Sequence, residues 1–165
     1  MSESRALDTS SPQESFSRLT SGPDTAPESS GASILLVDDK PELLNSLYQL
    51  ITLHGYEADT ALGGQAALDH LEQKDYDVVL LDLIMPGVSG HDVLEHAAAK
   101  KLSCKIIVVS GDSSFSGVKH ALHCGAFDFV KKPYEAGELV ATMETALKQC
   151  ELESKNEVME GKLKE

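Results

Sequence analysis

Several short apolar runs in this chain end in residues that can do chemistry. Ile34 to Val37 runs into Asp38-Asp39, Val78 to Leu81 into Asp82, Ile106 to Val109 into Ser110-Gly111-Asp112, and Phe127 to Val130 into Lys131-Lys132-Pro133. Alone, Asp82 reads equally well as a loop carboxylate or a helix cap. The set reads differently. Three carboxylates brought close raise one another's pKa unless a cation joins them. Hard oxygen donors, with water completing an octahedron, point to Mg2+. A lysine at the same place is suited to an additional anion. A metal, an ammonium and a hydroxyl around one exposed carboxylate make a cradle for a phosphoryl group. That carboxylate is then a nucleophile, and the product is an aspartyl phosphate.

This chemistry requires that residues far apart in sequence share one edge of a sheet. Val78 to Leu81 is an unbroken apolar run, the mark of a strand covered on both faces, and Pro86-Gly87 forces a turn soon after it. Ile34 to Val37, Tyr56 to Ala61, Ile106 to Val109 and Phe127 to Val130 read as four further strands. Between them lie helical patterns. Pro41 opens the first, which carries Leu43, Leu44, Leu47, Leu50 and Ile51 and stops at His54-Gly55. Gly63-Gly64 leads into the second, with Ala67, Leu68 and Leu71; Val93, Leu94 and Ala97 to Ala99 mark the third. Val118, Ala121 and Leu122 mark the fourth, closed by Gly125, and Leu139, Val140, Met143, Ala146 and Leu147 the fifth. Alternating strands and helices predict an α/β fold, a doubly wound sheet of five parallel strands with five helices. Right-handed crossovers cover both faces. In such sheets ligands bind outside the carboxyl ends of the strands, where the polar residues stand.

Bulk properties narrow the function further. The net charge of -13 opposes non-specific binding to nucleic acid or to an anionic membrane. No apolar run has the length of a membrane span and the first residues lack a signal-peptide core, so a cytoplasmic protein is expected. Cys104, Cys124 and Cys150 form no Cys-x-x-Cys and read as reduced packing residues. His120-x-x-His123-Cys124 has the residue types of a zinc site. Its side chains fan around more than one helix face and no second ligand pair follows in the chain, so the expectation is against zinc. Residues 1 to 32 are rich in Ser, Thr and Pro and predict a disordered tail, in which Phe16 and Leu19 could form a short docking motif.

Four motifs in order give the chain a close resemblance to the receiver domain of two-component response regulators, which are flavodoxin-like in fold. They are Leu36-Val37-Asp38-Asp39, Leu81-Asp82-Leu83-Ile84-Met85-Pro86-Gly87-Val88-Ser89-Gly90, Val109-Ser110-Gly111 and the stretch from Gly125 to Pro133. The match covers about residues 33 to 148. The resemblance implies that Asp82 is the phosphoacceptor, receiving its phosphoryl group from a phosphohistidine on a histidine kinase or phosphotransfer protein. It implies that Asp39 and Asp82 bind Mg2+ directly, Asp38 through water, and that the main-chain oxygen of Ile84 completes the protein ligands. Lys132 then pairs with phosphoryl oxygens, Ser110 is the switch hydroxyl, Phe129 the switch aromatic, and the Lys132–Pro133 bond is cis. The resemblance also places Ile84 and Asp112 beside the path of the hydrolytic water, where Ile84 is expected to retard dephosphorylation and Asp112 could position water against it.

Plainer roles compete for some of these positions: Phe129 as core, Ser110 as a turn residue, Asp38-Asp39 as a capping pair. Two other readings of the whole also stand. A haloacid-dehalogenase-type phosphatase shares the aspartate, Mg2+ and lysine, but it requires a second aspartate where this chain has Ile84. A degenerate receiver would act as a phosphorylation-independent interaction module, yet every acceptor, metal and lysine position is intact. The protein is thus expected to be a phosphoacceptor signalling domain and not an enzyme acting on a separate substrate. Residues 149 to 165 are too few for a DNA-binding unit, so output is expected through a protein partner or a missing effector domain. Glu144/Lys148, Glu151/Lys155 and Glu160/Lys164 are spaced i, i+4, and Leu152, Asn156, Met159 and Leu163 follow heptad spacing. A helical extension or linker is therefore expected past residue 148, with a solvated charged tail as the alternative. Leu43 and Leu44 are adjacent on the first helix, and one of them is expected to be exposed as a kinase contact.

Overall fold

The computed structural model describes residues 31–111 and 114–164, with the backbone alone at Phe115 and beyond Asn156. The N-terminal tail with Phe16 and Leu19, Asp112, and the side chains of Met159, Glu160, Leu163 and Lys164 lie outside the described residues. Five strands, β1 (Ile34–Asp38), β2 (Ala58–Leu62), β3 (Val78–Leu81), β4 (Lys105–Ser110) and β5 (Asp128–Lys131), alternate with five helices. The helices are α1 (Pro41–Leu53), α2 (Gly64–Gln73), α3 (Gly90–Ala99), α4 (Phe115–His123) and α5 (Ala136–Lys164). All strand pairs are parallel, in the order β2-β1-β3-β4-β5. This is the doubly wound architecture expected from the alternation of patterns.

The apolar strand runs are continuous because their alternate residues feed two different cores. Leu35, Val37, Val79, Leu81, Ile106 and Val108 pack with Ala67, Leu71, Val93, Leu94, Ala97 and Ala121 of α2, α3 and α4. Ile34, Leu36, Val78, Leu80, Ile107 and Val109 pack with Leu44, Leu47 and Ile51 of α1 and with Leu139, Met143 and Ala146 of α5. Each fully buried aliphatic side chain contributes roughly 1.5–3 kcal/mol to holding the sheet between these layers.

Only β3 keeps its expected limits; β1 and β4 take in the polar residues that follow them, Asp38 and Ser110, β4 also begins at Lys105, and β2 and β5 are shifted. Strand β2 begins at Ala58, not Tyr56, because Tyr56 belongs to the end of α1. Gly55 has φ +90°, its N–H donates to Thr52 O, and Tyr56 N–H donates to Ile51 O at 3.3 Å, a Schellman closure. Strand β5 runs from Asp128 to Lys131, one residue later than expected, in register with Ile107 to Ser110. Helix α5 is continuous to Lys164. Along it Lys155 and Glu151 pair at 3.2 Å, whereas the Glu144 carboxylate accepts a hydrogen bond from Tyr56 Oη at 3.2 Å. Lys105 of β4 reaches Glu153 at 2.9 Å, so the helix past residue 148 is anchored to the sheet's amino edge. Leu43 is 43% exposed and Leu44 only 7%, so the adjacent pair divides between solvent and core.

Candidate functional site

The strand order reverses direction between β1 and β3, and the acidic residues leave the sheet there. Val37 pairs with Leu81, so the next residues, Asp38 and Asp82, leave neighbouring strand ends side by side. Asp82 N–H donates to Val37 O at 3.2 Å, extending the ladder one step into the site. Asp38, Asp39 and Asp82 can each place a carboxylate oxygen within 4.8 Å of the others. On the far side of β3, Ser110 ends β4 opposite Lys131, and Lys132 N–H donates to Ser110 O at 2.9 Å. The Lys132 side chain reaches back to the carboxylates. Its ammonium donates to Asp38 Oδ2 at 3.1 Å and stands 3.5 Å from Asp82 Oδ2. Four groups scattered over almost a hundred residues of sequence thus meet at one edge.

Each side chain is held by local structure. Asp38 Oδ1 accepts from the N–H of Lys40 at 3.0 Å, and Asp82 Oδ1 from the N–H of Ile84 at 3.3 Å. Ser110 is fully buried. The Lys132–Pro133 peptide is cis. Phe129 is half-buried against the α2–α3–α4 core, and the Ile84 side chain stands at the rim, 63% exposed. Helix α3 is closed at its start by a capping box: Ser89 Oγ accepts from Asp92 N–H, and Asp92 Oδ2 accepts from Ser89 N–H at 2.9 Å. Gly90 N–H donates to Leu83 O at 3.0 Å, which ties this cap to the loop that follows Asp82.

Burial pushes the Asp82 carboxyl above its usual range, and Asp38 adds to this, while Lys132 and the Ile84 N–H act against it. Burial works to lower the Lys132 pKa, but the Asp38 hydrogen bond and the charge of Asp82 outweigh it, so the net shift is upward. The lysine is therefore firmly charged. It nevertheless leaves one buried carboxylate atom without a hydrogen bond. Asp39 Oδ1 is buried and accepts no hydrogen bond among the described residues; the nearest cation, Lys40 Nζ, is 3.9 Å away. An orphaned carboxylate oxygen beside two further carboxylates fits a hard divalent cation such as Mg2+.

The sequence reading missed part of the surroundings. A cleft of about 510 Å3 adjoins Asp38, Asp82 and Lys132 and is walled by Leu43, Leu47, Pro133 and Tyr134. Burial raises the pKa of Tyr134, which Lys132 opposes. Its signal was its place two residues after Lys132, across a proline. Gly90 was also missed as a positioning residue. A Cβ there would lie 2.5 Å from Leu83 Cα and closer still to Asp82 O, so only glycine lets α3 approach this loop.

A five-stranded parallel sheet with clustered acids and a lysine at its carboxyl edge is the arrangement expected of a receiver-type signalling domain. The profile of the response regulator receiver domain matches residues 34–144, and the chain belongs to that family. It is 38% identical over 117 residues to the sensory transduction protein RegX3 of Mycobacterium tuberculosis, covering 71% of this chain and 51% of that protein. The transcriptional regulatory protein KdpE of Mycobacterium tuberculosis is 36% identical over 116 residues, covering 70% of this chain and 51% of KdpE. The chain thus spans about half the length of these curated relatives. Among solved structures, the receiver domain of a LuxO-type repressor from Vibrio parahaemolyticus superposes with TM-score 0.72 at 27% identity, covering 74% of this chain and 95% of that one. A CheY-like receiver domain from Methanospirillum hungatei gives 0.71 at 29% identity, covering 74% and 98%. No helix among the described residues is long and apolar enough to cross a membrane.

Proposed function

We propose that this protein is a phosphorylation-dependent switch in which Asp82 accepts a phosphoryl group from a phosphohistidine. The observation that carries this reading is the meeting of Asp38, Asp39 and Asp82, with Lys132 on Asp38 and Asp82, which leaves Asp39 Oδ1 buried without a hydrogen bond among the described residues. Asp39 and Asp82 would hold Mg2+ directly, Asp38 through water, with the main-chain oxygen of Ile84 as a further ligand. When bound, Mg2+ supplies Lewis-acid stabilisation of the phosphoryl oxygens. An Asp82 carboxylate oxygen attacks phosphorus; the P–O bond forms as the P–N bond breaks, and the electron pair leaves on the donor imidazole. Lys132, now shared by Asp38 and Asp82, is within reach of the incoming phosphoryl oxygens and neutralises part of their charge.

The response then passes to Ser110 and Phe129. New phosphoryl oxygens accept a hydrogen bond from the Ser110 hydroxyl, the β4–α4 loop moves inward, and the half-buried Phe129 ring turns toward the vacated space. This alters the α4–β5–α5 surface, which is the face for a downstream protein partner or an effector domain. Residues 33 to 148 constitute the receiver and 149 to 165 a helical extension. The phosphodonor, a histidine kinase or phosphotransfer protein, docks on α1 beside the exposed Leu43, in the cytoplasm. Two rivals are disfavoured: the dehalogenase-type position holds Ile84, and a degenerate receiver would not keep the whole acid–lysine set.

The test is labelling with acetyl phosphate in the presence and absence of Mg2+, followed by borohydride reduction to trap the acyl phosphate. Mg2+-dependent labelling at Asp82 is expected, and labelling that persists in Asp82→Ala sinks the assignment. Asp39→Ala should lose most Mg2+ affinity. With beryllofluoride, Ser110→Ala should still bind the analogue yet show a weakened change in backbone signals; an unchanged response leaves Ser110 a turn residue.

A further inference from the structure

A second cluster of ligating side chains lies away from the acidic site, between α3 and α4. The sequence offers no second ligand pair after Cys124, but the fold brings a carboxylate, Glu95, from α3. His91 and Glu95 are four residues apart on α3, and His120 and Cys124 are four apart at the end of α4, so each pair shares one helix face. The two faces meet. Glu95, His120 and Cys124 can each bring one ligand atom within 4.8 Å of the others. Cys124 Sγ already stands 3.5 Å from His120 Nε2. Around a tetrahedral ion with bonds of about 2.0–2.3 Å, a nitrogen and a sulfur ligand are roughly 3.5 Å apart. The pair is therefore at the required span.

The His91 ring lies against His120, with centroids 4.8 Å apart and planes inclined by 55°. Its Nδ1 is buried and without a hydrogen-bond partner among the described residues. An imidazole nitrogen left unsatisfied on a ring that packs against His120 is an observation independent of the spacing of the three ligands. His123, which the sequence placed in the same group, is not one of the converging residues.

We propose that Glu95, His120 and Cys124 form a Zn2+-class site that ties α4 to α3. One thiolate, one imidazole and one carboxylate suit a borderline-soft cation and not Mg2+, which takes oxygen ligands. Three protein ligands leave a fourth position open to water. Glu95 and His120 are exposed and Cys124 is half-buried, so an ion can enter from solvent and the longer gaps can close by rotamer changes. The other cysteines are poor competitors. Burial pushes the Cys104 thiol up to about 11 and also raises that of Cys150, which disfavours the thiolates a metal requires.

Co2+ serves as the probe, added to the full chain under reducing conditions with Mg2+ in excess to occupy the acidic site. One equivalent should give a thiolate-to-cobalt charge-transfer band with tetrahedral ligand-field absorption, and Zn2+ should displace it. Cys124→Ser should abolish the band, and Glu95→Gln and His120→Ala should each weaken Co2+ binding by at least about tenfold. The Cys104→Ser/Cys150→Ser double variant should keep it. Absence of a sulfur band with several equivalents of Co2+ would overturn the proposal, as would a band that survives Cys124→Ser or disappears in the double variant. Should Cys124→Ser fail to fold, the wild-type band together with the Glu95→Gln, His120→Ala and double variants still decides the matter.

Discussion

Replacing Gly90 with alanine should damage both stability and the acidic site, although Gly90 does no chemistry. Its added Cβ would lie 2.5 Å from Leu83 Cα, where ordinary contact begins at 3.4 Å, so α3 or the loop must move by roughly 1 Å. The obstructing atoms are backbone, of Leu83 and of Asp82 itself, and cannot swing away as a side-chain tip could. Overpacking of this kind costs about 1–3 kcal/mol, and the rigidity of the neighbours argues for the upper end. Against a total stability of about 5–15 kcal/mol, this is a large fraction. The same displacement would pull Asp82 and Ile84 from their places beside Asp38 and Asp39, so Mg2+ affinity should fall together with stability. Gly137 is the internal control. It lies in the first turn of α5 with no atom within 4 Å of an added Cβ, and Gly137→Ala should stabilise by up to about 1 kcal/mol. Urea titrations followed by circular dichroism, with Mg2+ binding measured calorimetrically, read both effects. A Gly90→Ala protein within about 0.5 kcal/mol of wild type and with unchanged Mg2+ affinity would refute the packing argument.

Three further outcomes follow from particular side chains. Leu44→Ala should cost about 2–5 kcal/mol in a denaturant titration because Leu44 is core, whereas Leu43→Ala should leave stability nearly unchanged and slow phosphotransfer from the cognate kinase; unaltered transfer would remove Leu43 from the docking face. Burial raises Asp82 above 3.8, so without Mg2+ the native state holds this proton longer than the unfolded chain. Stability should therefore fall as pH rises from about 3.8 through the folded value, with the cost fully present above it. Asp82→Asn should remove that decline and stabilise the metal-free protein near neutral pH by an amount on the order of 1 kcal/mol, and a parallel pH profile in the variant would contradict this. Ile84→Asn should shorten the lifetime of the aspartyl phosphate, since an amide at this rim position can orient a water that isoleucine cannot; slower loss of label in the variant would reverse the assignment of Ile84 as the residue that retards hydrolysis.

The class of fold and the residues gathered at its edge were legible in one dimension. Unbroken runs such as Val78 to Leu81 mark strands buried on both faces, and an acidic or basic residue directly after such a run must leave the sheet at its carboxyl end. Parallel strands bring those ends to one edge, so the meeting of Asp38, Asp39, Asp82 and Lys132 followed from local pattern plus topology. Strand limits were less legible. Tyr56 has the residue type of a strand, but its N–H completes the closure of α1 and its hydroxyl goes to Glu144 of α5.

Tertiary structure alone decided everything that depends on two surfaces meeting. Periodicity placed Leu43 and Leu44 on one helix, but the sheet beneath α1 determined that Leu44 is buried and Leu43 exposed. Composition allowed Gly90 to be an ordinary loop glycine; its necessity arises from the approach of α3 to the backbone of Asp82 and Leu83. The sequence set His120 and Cys124 aside for want of a second ligand pair, and only the meeting of α4 with α3 brings Glu95 to both and the His91 ring against His120. Local patterns encode which face of an element is apolar, because burial of that face dominates its free energy. They do not encode which polar groups will stand opposite each other once two such faces have packed.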